Sequence, residues 1–132
     1  MVEEFSISTK HKEQFINITH TIHEVIHKNG WESGIMHIFI PHTTAAITIN
    51  ENADPSVVRD MLYGLNKIVP HSGYHHMEGN SAAHIKSSLL GCSCTVAVAN
   101  HVLVLGTWQG IYFCEFDGPR ERTVQLKFIC DQ

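Results

Sequence analysis

The chain has 132 residues, 43% hydrophobic and 17% charged, with a net charge of −4. That length suits one domain with a true core, and the acidic balance excludes a basic field for holding nucleic acid. Apolar runs such as Val102-Leu103-Val104-Leu105 are too short to span a bilayer, and Met1 to Phe5 lack the features of a secretion signal, so a cytoplasmic protein without a membrane partner is expected.

Glu3 to Thr9 sets Phe5, Ile7 and Thr9 against Glu4, Ser6 and Ser8, the alternation of a half-buried strand. From Glu13 to Lys28 the apolar residues Phe15, Ile18, Ile22, Val25 and Ile26 fall at helical spacing, which predicts an amphipathic helix ended by Asn29-Gly30. His20, His23 and His27 belong to its polar, solvated face. Strands are expected over Gly34 to Ile40 and Ala45 to Asn50, leaving His42 at their junction. Asp54-Pro55 predicts a helix start, with Asp54 as cap, running to about Leu65.

Asn66 to Gly79 is expected as a long loop carrying His71, His75 and His76. Asn80 or Ser81 then caps a helix through Leu90, stopped by Gly91, with His84 in its first turn. Strands follow over Cys92 to Ala99 and Val102 to Thr107 about an Asn100-His101 turn, then over Gly110 to Asp117 and Thr123 to Cys130. The pattern is α+β. Cys92, Cys94, Cys114 and Cys130 contain no Cys-x-x-Cys and are expected as small buried hydrophobes. Trp108 is expected in the core.

Eleven histidines make a metal centre worth weighing, although such abundance also produces close pairs by chance. His42, His76 and His84 form a plausible set of imidazole ligands for zinc, against ordinary cap, loop and surface histidines. His76 and His84 match no helical two-histidine motif. Around His42 lie Thr43, Glu51, Asn52 and Asp54, a concentration of hydroxyl, amide and carboxylate groups. Glu51 and Glu78 are candidate general bases or further ligands. Arg120 and Arg122, after a Gly-Pro turn, can clamp a phosphate or carboxylate.

Five blocks carry a resemblance: His42-Thr43-Thr44-Ala45-Ala46, Asn50-Glu51-Asn52-Ala53-Asp54-Pro55, Glu78-Gly79-Asn80, Ala83-His84-Ile85-Lys86-Ser87-Ser88-Leu89-Leu90-Gly91 and Leu105-Gly106-Thr107-Trp108-Gln109-Gly110-Ile111-Tyr112. In this order, and over nearly the whole chain, they resemble the YjbQ-like family. The resemblance implies one α+β domain over residues 1–132, with two packed, mainly antiparallel sheets and about three helices, assembling as a homotrimer. It implies a metal or anion site near the subunit boundary on His42, His76 and His84, with His75 as the alternative to His76. Asp54, Glu51 and Arg120 are then the candidate catalytic groups. Thr43, Asn52, Asn80 and Gln109 are the candidate ligand contacts.

The family is similar to secondary thiamine-phosphate synthase, which joins a pyrimidine diphosphate to a thiazole phosphate with loss of pyrophosphate. Three imidazoles favour zinc over magnesium, so a zinc-dependent hydrolase suits the ligands better than diphosphate chemistry does. A trimeric module that binds a metal or phosphorylated metabolite without turnover is the non-catalytic alternative.

Overall fold

A computed structural model describes residues 2–132. Eight strands and three helices follow in the order β1 (Glu3–Ser8), β2 (Gln14–Asn17), α1 (Thr19–Asn29), β3 (Gly34–Phe39), β4 (Ala45–Glu51), α2 (Pro55–Ile68), α3 (Ser81–Leu90), β5 (Ser93–Ala99), β6 (Val102–Leu103), β7 (Gln109–Glu115) and β8 (Glu121–Cys130). They form a five-stranded sheet in the order β1-β8-β3-β5-β6 and a three-stranded sheet in the order β2-β7-β4, every pair antiparallel.

The period-two rule explains how the small sheet is covered on both faces. Ile16, Ile47, Ile111 and Phe113 point into one core with Met36, Ile38, Val124 and Leu126 of the large sheet and Ile22 and Ile26 of α1. Their chain neighbours Phe15, Ala46, Tyr112 and Cys114 point the other way, onto Ala83, Val58, Leu62 and Leu65 of the helices α2 and α3. The order of layers is therefore large sheet, small sheet, helices. That places α3 beside β4 and brings His84 alongside the chain that enters β4.

Local signals set most boundaries. Gly30 takes the left-handed conformation (φ 63°) that ends α1, and the Asp54 side chain accepts the Ser56 N–H at the start of α2. Asn100 and His101, both at positive φ, make the turn between β5 and β6.

Four expectations are corrected. The segment from Glu13 opens as strand β2, not helix: Phe15 and Ile16 bury on opposite faces of the small sheet, and the Asn17 side chain accepts the Thr19 N–H where α1 begins. Helix α2 continues to Ile68, because Asn66 bonds back to the Leu62 carbonyl and Val69 is buried with its N–H on Leu65. Cys92 and Cys130 are exposed and Cys94 is half-buried, so only Cys114 is a core thiol; Cys92 precedes β5, where strand alternation does not carry it inward. Trp108 is 64% exposed because it sits on the turn before β7.

Candidate functional site

A groove of about 450 Å³ opens between the start of β4 and α3, lined by His42, Thr43, His84, Ser88 and Cys92 among others. Two backbone bonds fix its walls: the Ile47 N–H reaches the Gly91 carbonyl at 3.1 Å, and the Ile40 N–H reaches the Cys92 carbonyl at 2.7 Å. His84 stands one helical turn before Ser88, whose hydroxyl donates to the His84 carbonyl. Sequence reasoning found His42, Thr43 and His84. It missed Cys92 and Ser88, which become groove residues only because Gly91 turns the chain back along β4.

The His42 ring is held from behind. Its Nε2 accepts the Thr123 backbone N–H at 2.9 Å. A nitrogen that accepts carries no proton, so the neutral ring bears its proton on Nδ1. Burial and the positive charge of Arg122 hold the His42 pKa below its ordinary 6.5, with Glu115 opposing. Because the Thr123 bond exists only with the neutral ring, it acts in the same direction as burial.

Arg122 is not a surface clamp. It is 4% exposed, its Nε donates to Glu115 Oε1 at 2.9 Å, and its Nη2 donates to Glu115 Oε2, the Thr44 hydroxyl and the Thr44 carbonyl. Burial alone would raise the pKa of Glu115. Bonds from Arg122, the Asp117 N–H and the Thr9 hydroxyl outweigh it and hold that carboxyl below its ordinary value. This ion pair props the Thr44 end of the loop that bears His42.

On the far side of His84, His76 meets it edge to face with ring centroids 5.7 Å apart, and Glu78 Oε1 lies 3.8 Å from His76 Nε2. The partner of His84 is therefore His76 and not His75. The three-histidine zinc set does not fit this arrangement. Among the described residues, no three His, Cys, Asp or Glu side chains are placed to hold one metal ion. His42 also has no free lone pair while Nε2 serves Thr123 and Nδ1 carries the proton.

The remaining predicted residues lie elsewhere. Strand β4 spans Ala45–Glu51, so its two ends stand roughly 20 Å apart, and Glu51, Asn52 and Asp54 are at the end away from His42. There Asn52 donates to the Gln109 carbonyl at 3.1 Å, the Glu51 side chain accepts the Ala53 N–H, and the Gln109 side chain accepts the Gly106 N–H. Asp54 is held below its ordinary pKa by its bonds from Ser56, as a helix cap is. These bonds fold the corner between β4, α2 and β7. Arg120 and Asn80 meet on Asp117, at 3.0 and 2.9 Å. Burial works to raise the Asp117 pKa, but Asn80, Arg120 and Lys12 bring it below the ordinary value.

The sequence profile of the family described as UPF0047 protein YjbQ-like matches residues 3–131. The chain is 50% identical to the UPF0047 protein YugU of Bacillus subtilis, covering 98% of this chain and 99% of that one. It is 48% identical to a UPF0047 protein of Methanocaldococcus jannaschii, covering 100% and 96%. Among solved structures, a YjbQ/UPF0047 protein of Clostridium acetobutylicum superposes with a TM-score of 0.93 at 53% identity, covering 96% of this chain and 99% of that one. A hypothetical protein of Aeropyrum pernix superposes equally well, 0.93, at 33% identity and 99% coverage of both chains. With this fold, two packed antiparallel sheets flanked by helices, and this match over nearly its full length, the chain belongs to the YjbQ-like UPF0047 family.

Proposed function

We propose that the His42–His84 groove is the reaction site of a small-molecule transferase of the thiamine-phosphate synthase type. In that reaction the thiazole nitrogen forms a C–N bond to the pyrimidine methylene while the C–O bond to diphosphate breaks, the electron pair leaving with pyrophosphate. The protein's task is to bind and stabilise that departing anion. His42, held as a neutral Nδ1–H donor by Thr123, is the observation that carries this reading. A fixed donor suits a developing oxyanion better than a mobile one. The His76–His84 pair places further imidazole groups at the same groove, within reach of a substrate bound there.

Purified protein incubated with the two thiamine precursors, with pyrophosphate release followed, tests the reading. Turnover that falls in His84→Ala supports it. Binding of either precursor without pyrophosphate release supports the non-catalytic module instead.

Zinc is a second reading, toward which the His76–His84 pair offers two imidazoles but not a complete ligand set among the described residues. It requires the segment carrying His76 and Glu78 to close around the ion, and it fits a hydrolase better than a synthase. Stoichiometric zinc in the purified protein, lost in His84→Ala, would establish it. Homotrimeric assembly belongs to the same proposal: the outer face of the five-stranded sheet exposes Val2, Ile35 and Ile129. Light scattering gives the subunit number.

A further inference from the structure

A second cavity lies on the other side of α3, about 400 Å³ in volume and lined by Lys12, Glu13, Asn80, Lys86 and Phe116. None of these lines the His42–His84 groove. Lys86 is 2% exposed, a rare position for an ammonium group. Its Nζ donates to Glu13 Oε2 and to Asn66 Oδ1 and stands 5.9 Å from the centre of the Phe116 ring, so two of its three protons are committed to acceptors.

Asn80 supplies the complementary group. Its amide nitrogen donates to Asp117 Oδ2, which fixes the orientation of the side chain, since the opposite one would set oxygen against a carboxylate. Its Oδ1 is then buried and accepts no hydrogen bond; it is the one such side-chain atom among the described residues. A buried acceptor left unpaired costs free energy that a fold ordinarily avoids, and such exceptions concentrate where something binds.

The charges around the cavity point to the sign of the occupant. Glu13 is held by Lys86, and Asp117 by Lys12 at 3.6 Å and Arg120 at 3.0 Å. Three cations therefore surround two carboxylates, both of which are already paired. We propose that this cavity is a second binding site, separate from the groove, for a small anion that carries its own hydrogen-bond donor, as hydrogen phosphate or a hydroxycarboxylate does. The hydroxyl donates to Asn80 Oδ1, and the anionic oxygens take the remaining Lys86 proton and Lys12 at the rim.

Calorimetric titration of the full chain with inorganic phosphate, glycolate and sulfate tests this. Phosphate and glycolate each carry a donor and sulfate carries none. The expected result is binding of phosphate or glycolate, about tenfold or more tighter than sulfate because sulfate leaves Asn80 Oδ1 unpaired. Which of the two binds tighter identifies the anion class. Lys12→Ala, an exposed change that leaves the core intact, weakens binding, whereas His84→Ala in the groove leaves it unchanged. Equal binding of sulfate overturns the donor match. Loss of binding in His84→Ala but not in Lys12→Ala places the anion in the groove and overturns the second site. No binding of any of the three overturns it outright.

Discussion

The Nε2 of His42 and the backbone N–H of Thr123 are 2.9 Å apart, and this bond couples a groove side chain to strand β8 of the opposite sheet. The ring must be neutral to keep it. Nitrogen-15 NMR is expected to show His42 protonated at Nδ1 and still neutral at pH values below its ordinary 6.5. Since the folded pKa is depressed, the unfolded chain takes up the proton first. The contribution of His42 to stability is complete above about pH 6.5 and is lost as pH falls through the depressed value. His23 behaves alike: burial and the neighbouring His27 and His20 lower its pKa, and its Nε2 accepts the Leu103 N–H at 3.1 Å. Urea midpoints between pH 7 and 5 should fall less for His42→Asn than for the unmodified chain.

His76, not its neighbour His75, faces His84. His76→Ala and His84→Ala should therefore lower pyrophosphate release about 100-fold or more if the pair moves a proton in the reaction. His75→Ala should leave it unchanged. Equal loss in His75→Ala would mean that the 73–80 segment acts as a whole and not through one imidazole.

The caps and turns were legible because they depend on local chemistry: Gly30, Asp54-Pro55, Gly91 and the Asn100-His101 turn all act within a few residues. Strand β2 was not. Phe15 fits helical spacing with Ile18 and Ile22, and only pairing with β7 makes Phe15 and Ile16 a strand. His42, Thr43 and His84 stand out in the sequence because their residue types can carry chemistry wherever they fall, and the fold brings the three to one groove. Glu51 and Asn52 are close in sequence to His42, yet β4 carries them to its far end, where they meet Gln109 at the start of β7. Lys86 and Glu13 were missed. A signal existed: Lys86 stands three residues after buried Ala83 and four before Leu90, on the inward stripe of α3, where a lysine needs a buried partner.

At the far end of β4, Gly110 packs where side-chain space is absent. A Cβ there would lie 2.8 Å from the Asn52 Cβ and 3.0 Å from the Asn17 amide nitrogen. Gly110→Ala should destabilise by about 1–3 kcal/mol, the ordinary cost of overpacking. It should leave groove chemistry untouched below the new melting transition, because Gly110 belongs to the corner and not to the groove. Thermal unfolding with activity measured at 25 °C separates the two effects.

Glu115 and Arg122 form a pair 0% and 4% exposed, with Thr9 and the Asp117 N–H also bonded to Glu115 and Thr44 to Arg122. Removing one charge strands the other, so Glu115→Gln or Arg122→Met should each cost about 3–5 kcal/mol. The double variant Glu115→Gln/Arg122→Met should recover part of that loss, because no charge then stays buried alone; a double variant that loses the sum of the two would show that the residues act independently. The folded pKa of Glu115 is depressed below its ordinary 4.5, so its contribution is present above that pH and is lost as pH falls through the folded value. Arg122 also helps to hold His42 neutral. In Arg122→Met the His42 titration should therefore move up toward 6.5, and a shift seen there without any change in groove shape would show that the buried pair tunes the site through its charge.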